Sequence, residues 1–157
     1  MSALVKHKIS DLALLFFSLV IMLGCGPIRI ISPYDQVIDE GVTKFHTDVT
    51  SFVGKMVTLA GKPEGTYESN KGSYSELAAE VGSLRMRAAQ TPKNDITVKS
   101  LDEIAGNVER LRQLHESGKE QGLSKPLADP ALVALTVQCE SIIKFEIAKK
   151  RGEDETK

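Results

Sequence analysis

The chain has no tryptophan, aromatics make up only 5% of it, two residues are cysteine, and its charges nearly cancel. With 20 basic and 21 acidic residues and a formal net charge of −1, it carries no electrostatic footprint for nucleic acid and little for anionic lipid. The scarcity extends to catalytic motifs. No Glu-x-x-His occurs, which excludes the paired carboxylate–histidine sites of di-iron bundles. Cys-x-x-Cys-His, His-Glu-x-x-His, Gly-x-Ser-x-Gly and the phosphate-loop glycines are also missing, so haem attachment, zincin chemistry, the hydrolase elbow and nucleotide cradling have no sequence support. No cofactor, metal site or enzymatic activity is expected. Strand patterning is equally sparse, since Ile96–Val98 is too short to compete with helix.

What is present begins with the amino-terminal segment. Lys6, His7 and Lys8 form a basic start, Leu12 to Leu23 an almost unbroken apolar run, and Met22-Leu23-Gly24-Cys25 follows at once. That tetrapeptide resembles the lipobox, in which a small residue precedes a cysteine whose sulfur is acylated before cleavage on its amino side. The apolar run falls short of the roughly 20 residues that span a bilayer, as suits the hydrophobic region of a signal peptide. Residues 1–24 are therefore expected to be a lipoprotein signal peptide and Cys25 the lipidated residue. The alternative is an uncleaved anchor running on through Gly26-Pro27-Ile28. Either arrangement tethers the domain to a membrane on the exported side.

A buried methylene contributes about 0.8 kcal/mol, and stable attachment takes more than one acyl chain. The three chains typical of mature bacterial lipoproteins imply permanent attachment. Gly26 stands where enteric lipoproteins kept in the inner membrane have aspartate, so the resemblance implies the periplasmic face of the outer membrane. Only Gly26 to Ile31 separate Cys25 from Ser32, and at 3.3–3.6 Å per residue this tether (25–31) reaches about 20 Å. Ile28, Ile30 and Ile31 make it too apolar for a floating linker, and it is expected to lie against the bundle or the headgroups.

Without Lys6, Lys8 and Asp11 of the leader, the basic and acidic totals of 20 and 21 become 18 and 20. The remaining length suits one domain with a single core. Lipidation of Cys25 leaves Cys139 alone, so no internal disulfide forms. Cys139 falls among Leu135, Ile142 and Ile143 at helical spacing and reads as a small core hydrophobe rather than a reactive thiol.

Four apolar seams follow. Ile38, Val42, Phe45, Val49, Phe52, Met56 and Leu59 step by four and three, which predicts a helix over about 33–60 started by Ser32-Pro33-Tyr34-Asp35. Lys62 to Gly72 reads as a loop. Ser73 with Glu76 makes a capping box ahead of Tyr74, Leu77, Val81, Leu84 and Ala88, giving a helix over 74–90 that stops before Pro92. Ser100 with Glu103, or Thr97, starts a third over 98–117, carrying Leu101, Ile104, Val108, Leu111 and Leu114 or His115 and broken by Gly118 and Gly122. Asp129-Pro130 starts the fourth over 130–151, with Leu132, Leu135, Cys139, Ile142 and Ile143 on its face. Lys149, Lys150 and Arg151 complement its negative end, and residues 153–157 read as a frayed tail. The fold class is all-α, an up-down-up-down antiparallel four-helix bundle over 32–152.

Candidate chemistry within it is thin. His46 and His115 sit at the edges of apolar stripes and read as partly exposed or core-edge imidazoles. Asp35, Asp39 and Glu40, and Asp102 with Glu103, lie in early helix turns where acids stabilise the positive end. Arg85 and Arg87, repeated by Arg110 and Arg112, read as solvated flanks, with an anion-binding patch between the second and third helices as the alternative. Tyr67 either plugs the end of the bundle or is presented to a partner, and the same choice applies to Leu123 and Leu127. The interior glycines Gly41, Gly54, Gly82 and Gly106 leave three readings open: tolerance, close helix approach, or a groove.

Tyr74 in a capped second helix, Arg85-Met86-Arg87-Ala88-Ala89 running into Thr91-Pro92-Lys93-Asn94-Asp95-Ile96-Thr97, and the ending Glu146-Ile147-Ala148-Lys149-Lys150-Arg151-Gly152 together resemble a family of small uncharacterised bacterial lipoproteins. The resemblance implies a compact exported helical domain and transfers no catalytic residue. The expected function is that of a membrane-anchored periplasmic lipoprotein, a non-enzymatic interaction or scaffold module. It would be held by lipid on Cys25, meet an envelope protein partner, and have no nucleic-acid partner. The alternative is a helical protein binding a small-molecule or envelope-stress ligand between helices.

Overall fold

The computed structural model describes residues 30–155. The chain divides into two units, Met1–Ile30 and Ile31–Lys157, and the four helices among the described residues lie in the second. The expected signal peptide, Cys25 and the tether up to Arg29 lie outside the described residues. Helix α1 spans Gln36–Thr58, α2 Tyr67–Gln90, α3 Asp95–Ser117 and α4 Lys125–Asp154. Single 3-10 turns at Pro63–Gly65 and Lys119–Gln121 fill the first and third connections. Each helix packs on its sequence neighbours, and α4 closes the ring against α1. The result is the antiparallel four-helix bundle expected from the seams. No described helix is long and apolar enough to cross a membrane.

The seams meet in one core. Ile38, Val42, Phe45, Val49 and Met56 of α1 are buried against Val81, Leu84, Leu101, Ile104, Leu111, Leu135 and Ile142. Each such side chain contributes about 2 kcal/mol on leaving water. Val53 takes the inner position beside Met56, and Phe52 sits on the shoulder, edge-on to Tyr74 with ring centroids 5.0 Å apart.

Helix starts differ from the sequence reading in instructive ways. Asp35, not Ser32, caps α1, accepting the Val37 and Ile38 amides. The Ser32 hydroxyl is engaged elsewhere, donating to Asn94 Oδ1 at 2.8 Å. Helix α2 begins at Tyr67 rather than Tyr74, because Thr66 accepts the Ser69 amide while Asn70 Nδ2 donates to the Glu64 and Thr66 carbonyls. The polar stretch read as loop is thereby wound into a first turn and a half. Helix α4 begins at Lys125 and runs through Pro130. A proline so near the start removes only one early hydrogen bond, and Asp129 pairs with Lys125 instead of capping. Its far end continues through Asp154, into the stretch expected to fray.

Candidate functional site

Two polar clusters close the two ends of the bundle, and both grow from the seams. On α4 the register Leu135, Cys139, Ile142 continues by four and three to Glu146 and Lys149, so the seam carries a carboxylate and an ammonium into the interior. Both side chains are buried, with Lys149 Nζ 2.6 Å from Glu146 Oε1. Lys149 also donates to Asn94 Oδ1 at 3.0 Å, and Asn94 Nδ2 donates to the Ala88 carbonyl at 3.2 Å. The other Glu146 oxygen accepts the Asp35 amide at 3.1 Å, and the Thr97 hydroxyl lies 3.5 Å from Oε1. Asp35 in turn receives Arg87 Nε at 2.8 and 2.9 Å. One network thus ties the start of α1, the end of α2, the start of α3 and the end of α4. Burying two charges is costly unless they are paired and hydrogen-bonded, and among the described residues every buried side-chain polar atom has at least one partner.

At the opposite end the α3 seam runs Leu101, Ile104, Val108, Leu111 and then His115, which is completely buried rather than at the edge of the stripe. Its Nε2 lies 2.8 Å from the Gly65 carbonyl and its Nδ1 2.9 Å from the Tyr74 hydroxyl. A carbonyl only accepts, so Nε2–H donates to it, and in the neutral ring Nδ1 then accepts from the Tyr74 hydroxyl. Burial holds the Tyr74 phenol above its ordinary range, which keeps that proton in place. Tyr67 folds back over the pair, with its ring 6.0 Å from Tyr74 and 6.1 Å from His115. Its hydroxyl accepts from Arg112 at 3.1 Å. Gly65 has no room for a side chain, since a Cβ would overlap the Leu59 carbonyl. Gly122, at φ +65°, is closed to a side chain in the same way, since a Cβ there would overlap the Gly65 carbonyl. Leu123 is buried beneath this closure, whereas Leu127 is partly exposed.

The remaining candidates do not converge. His46 is half-buried, with Nε2 3.1 Å from the Thr136 hydroxyl. Asp39 accepts the Tyr34 hydroxyl and Glu40 the Gln36 amide, while Asp102 is paired with Arg85 across α2 and α3. Arg112 beside Glu109 holds that carboxyl down at about 2, and Arg110 donates to Asn107. The four guanidiniums considered for an anion patch therefore all have acceptors within the protein. Cys139 is buried, and desolvation pushes its thiol up to about 12. No cluster of three metal-ligating side chains occurs among the described residues.

Besides a cleft of about 420 Å³ at its start, lined by Thr66, Tyr67, Glu68, Glu116, Lys119 and Glu120, two clefts open to solvent lie along α2. One of about 250 Å³, against α1, is lined by Phe52 and Leu77 with Lys44, Asp48, Glu76 and Glu80. The other, about 170 Å³, lies against α3 and is lined by Tyr67, Tyr74, Val108 and Arg112 among others. The interior glycines shape neither. Gly41 is a close approach, where a Cβ would stand 2.5 Å from Leu84 Cδ2, while Gly54, Gly82 and Gly106 have open space at that position. Comparison with protein-family models, curated proteins and solved structures returned no match.

Proposed function

We propose that this chain is a bacterial lipoprotein of the small kind it resembles. It would be held on the periplasmic face of the outer membrane by acyl chains on Cys25, and its bundle would act as a non-enzymatic interaction or scaffold module for an envelope protein. The observation that carries the reading is the order Lys6 to Lys8, Leu12 to Leu23 and Met22-Leu23-Gly24-Cys25, with a folded domain entered at Ser32, only a few residues on. The non-enzymatic part draws on the way potentially reactive groups are used. Both ring nitrogens of His115, the Glu146 carboxylate and the Lys149 ammonium are bound up in holding helix ends together. Work of such a protein falls to its outer surface.

The test is capture of the tagged protein from cross-linked envelopes, beside a Cys25→Ser variant. A protein recovered specifically with the wild type and lost with the variant is the expected result. Repeated recovery of no specific protein would overturn the scaffold reading. The ligand-binding alternative has the α2–α3 cleft on its side, with Tyr67 and Arg112 at its wall. A melting temperature that climbs with added ligand would favour it.

A further inference from the structure

The exposed large apolar side chains are unevenly distributed along the bundle. Val37 is 49% exposed, Met86 62%, Ile96 61%, Ile147 38% and Ile31 43%. Each of the first four lies within two residues of a member of the Glu146–Lys149 network: Val37 after Asp35, Met86 before Arg87, Ile96 before Thr97 and Ile147 after Glu146. Because that network ties all four helices at one level, the four side chains form a collar there, one on each helix, pointing outward. Ile31 joins them where the chain enters, since the adjacent Ser32 amide donates to the Lys93 carbonyl at 3.1 Å. At the opposite end Leu127 alone is comparable among the described residues. Val133 and Val137 lie along the length of α4.

A protein bound in a groove would take side chains from two neighbouring helices. A collar that draws one from every helix suits a planar medium into which the end of the bundle settles. The covalent chain brings that medium close, since Cys25 is six residues from Ile31, a reach of about 20 Å. We propose that this end of the bundle is a lipid-contacting face, seated at the boundary between headgroups and acyl chains of the membrane that holds Cys25, with the His115 end pointing away. The charges around the collar are of both signs, with Lys93, Lys150 and Arg151 beside Asp95, Asp154 and Glu155. Apolar burial rather than net charge drives the contact, which is therefore expected to tolerate salt.

The proposal rests on the lipoprotein reading, and one preparation separates the two. The full chain is purified from its host carrying Ile96→Cys or Val137→Cys. It is labelled with an environment-sensitive fluorophore on the introduced thiol, since Cys139 is sealed in the core and an acylated Cys25 has no thiol; where the mass is unmodified, the labelling is repeated on Cys25→Ser versions so that position 25 carries no fluorophore. It is then reconstituted into phosphatidylethanolamine/phosphatidylglycerol vesicles containing a lipid quencher near the headgroup, and its intact mass is recorded. Acylated mass with quenching at position 96 at least about twofold stronger than at 137 is the expected result. Acylated mass with equal quenching overturns the lipid face and leaves the anchor standing. Unmodified mass with strong quenching at 96 overturns the anchor and upholds the face; unmodified mass with equal quenching overturns both.

Discussion

The two ends of the bundle face the same physical problem and meet it with different chemistry. At each, a seam continues past its last aliphatic residue and brings a polar side chain inside. The end that receives the chain at Ser32 uses a buried ion pair, Glu146 with Lys149, partnered by Asn94, Thr97 and the Asp35 amide. The other uses a neutral relay from Tyr74 through His115 to the Gly65 carbonyl, sealed by glycine-bearing turns that allow no side chain. A charged network is tolerated only when complete and is severely penalised when one member is removed. A neutral one loses less. The first therefore behaves as an all-or-none lock on helix register, and the second as a packed cap. Val37, Met86, Ile96, Ile147 and Ile31 are exposed beside the lock and Leu127 at the other end, so the two ends also present different surfaces.

This contrast sets the order of expected effects. Lys149→Met leaves Glu146 as an uncompensated buried charge and is expected to destabilise the protein by about 3–5 kcal/mol, measured by urea unfolding. The double variant Glu146→Gln, Lys149→Met should recover much of that loss; if it is as unstable as the single variant, the ion pair is not what the lock depends on. At the other end, His115→Phe keeps the ring but strands the Tyr74 hydroxyl and the Gly65 carbonyl, with an expected cost of about 2 kcal/mol. A loss equal to that of Lys149→Met would erase the distinction between the two ends.

Away from both ends, glycine offers a smaller comparison. Gly106→Ala meets open space and is expected to stabilise by about 1 kcal/mol, whereas Gly41→Ala must displace Leu84 and should lower the melting temperature. Cys139 gives the mildest effect. Its raised thiol stays protonated in the folded state while the unfolded thiol ionises near its ordinary 9.0, so its contribution is complete below that value and is lost as pH climbs toward about 12. Alkylation of native protein at pH 8 should be far slower than of unfolded protein, and comparable rates would place the thiol at the surface.

The architecture was legible because its signal is long and repeated. Four seams stepping by three and four over several turns leave little room for any other fold, and Tyr74, Leu77, Val81, Leu84 and Ala88 are buried as that spacing requires. Helix starts were less legible, since a cap depends on where a side chain is otherwise engaged. Ser32 bonds to Asn94, which lies far along the sequence, and this leaves Asp35 to cap α1. The buried polar residues left a signal in register: His115 stands with Leu114 as a candidate end of the α3 seam, whereas Glu146 and Lys149 continue the α4 seam where apolar reading passes over them. Asn94 had no such mark, because its place is fixed by the loop between α2 and α3 and by partners on other elements.

The lock and the collar around it acquire a common purpose only if Cys25 carries lipid. Intact mass and membrane partitioning of the protein from its own host, beside Cys25→Ser, test this most directly. The expected result is a chain that starts at Cys25 with three acyl groups in the outer-membrane fraction, and loss of the variant from that fraction. An unmodified chain retaining residues 1–24 would contradict it.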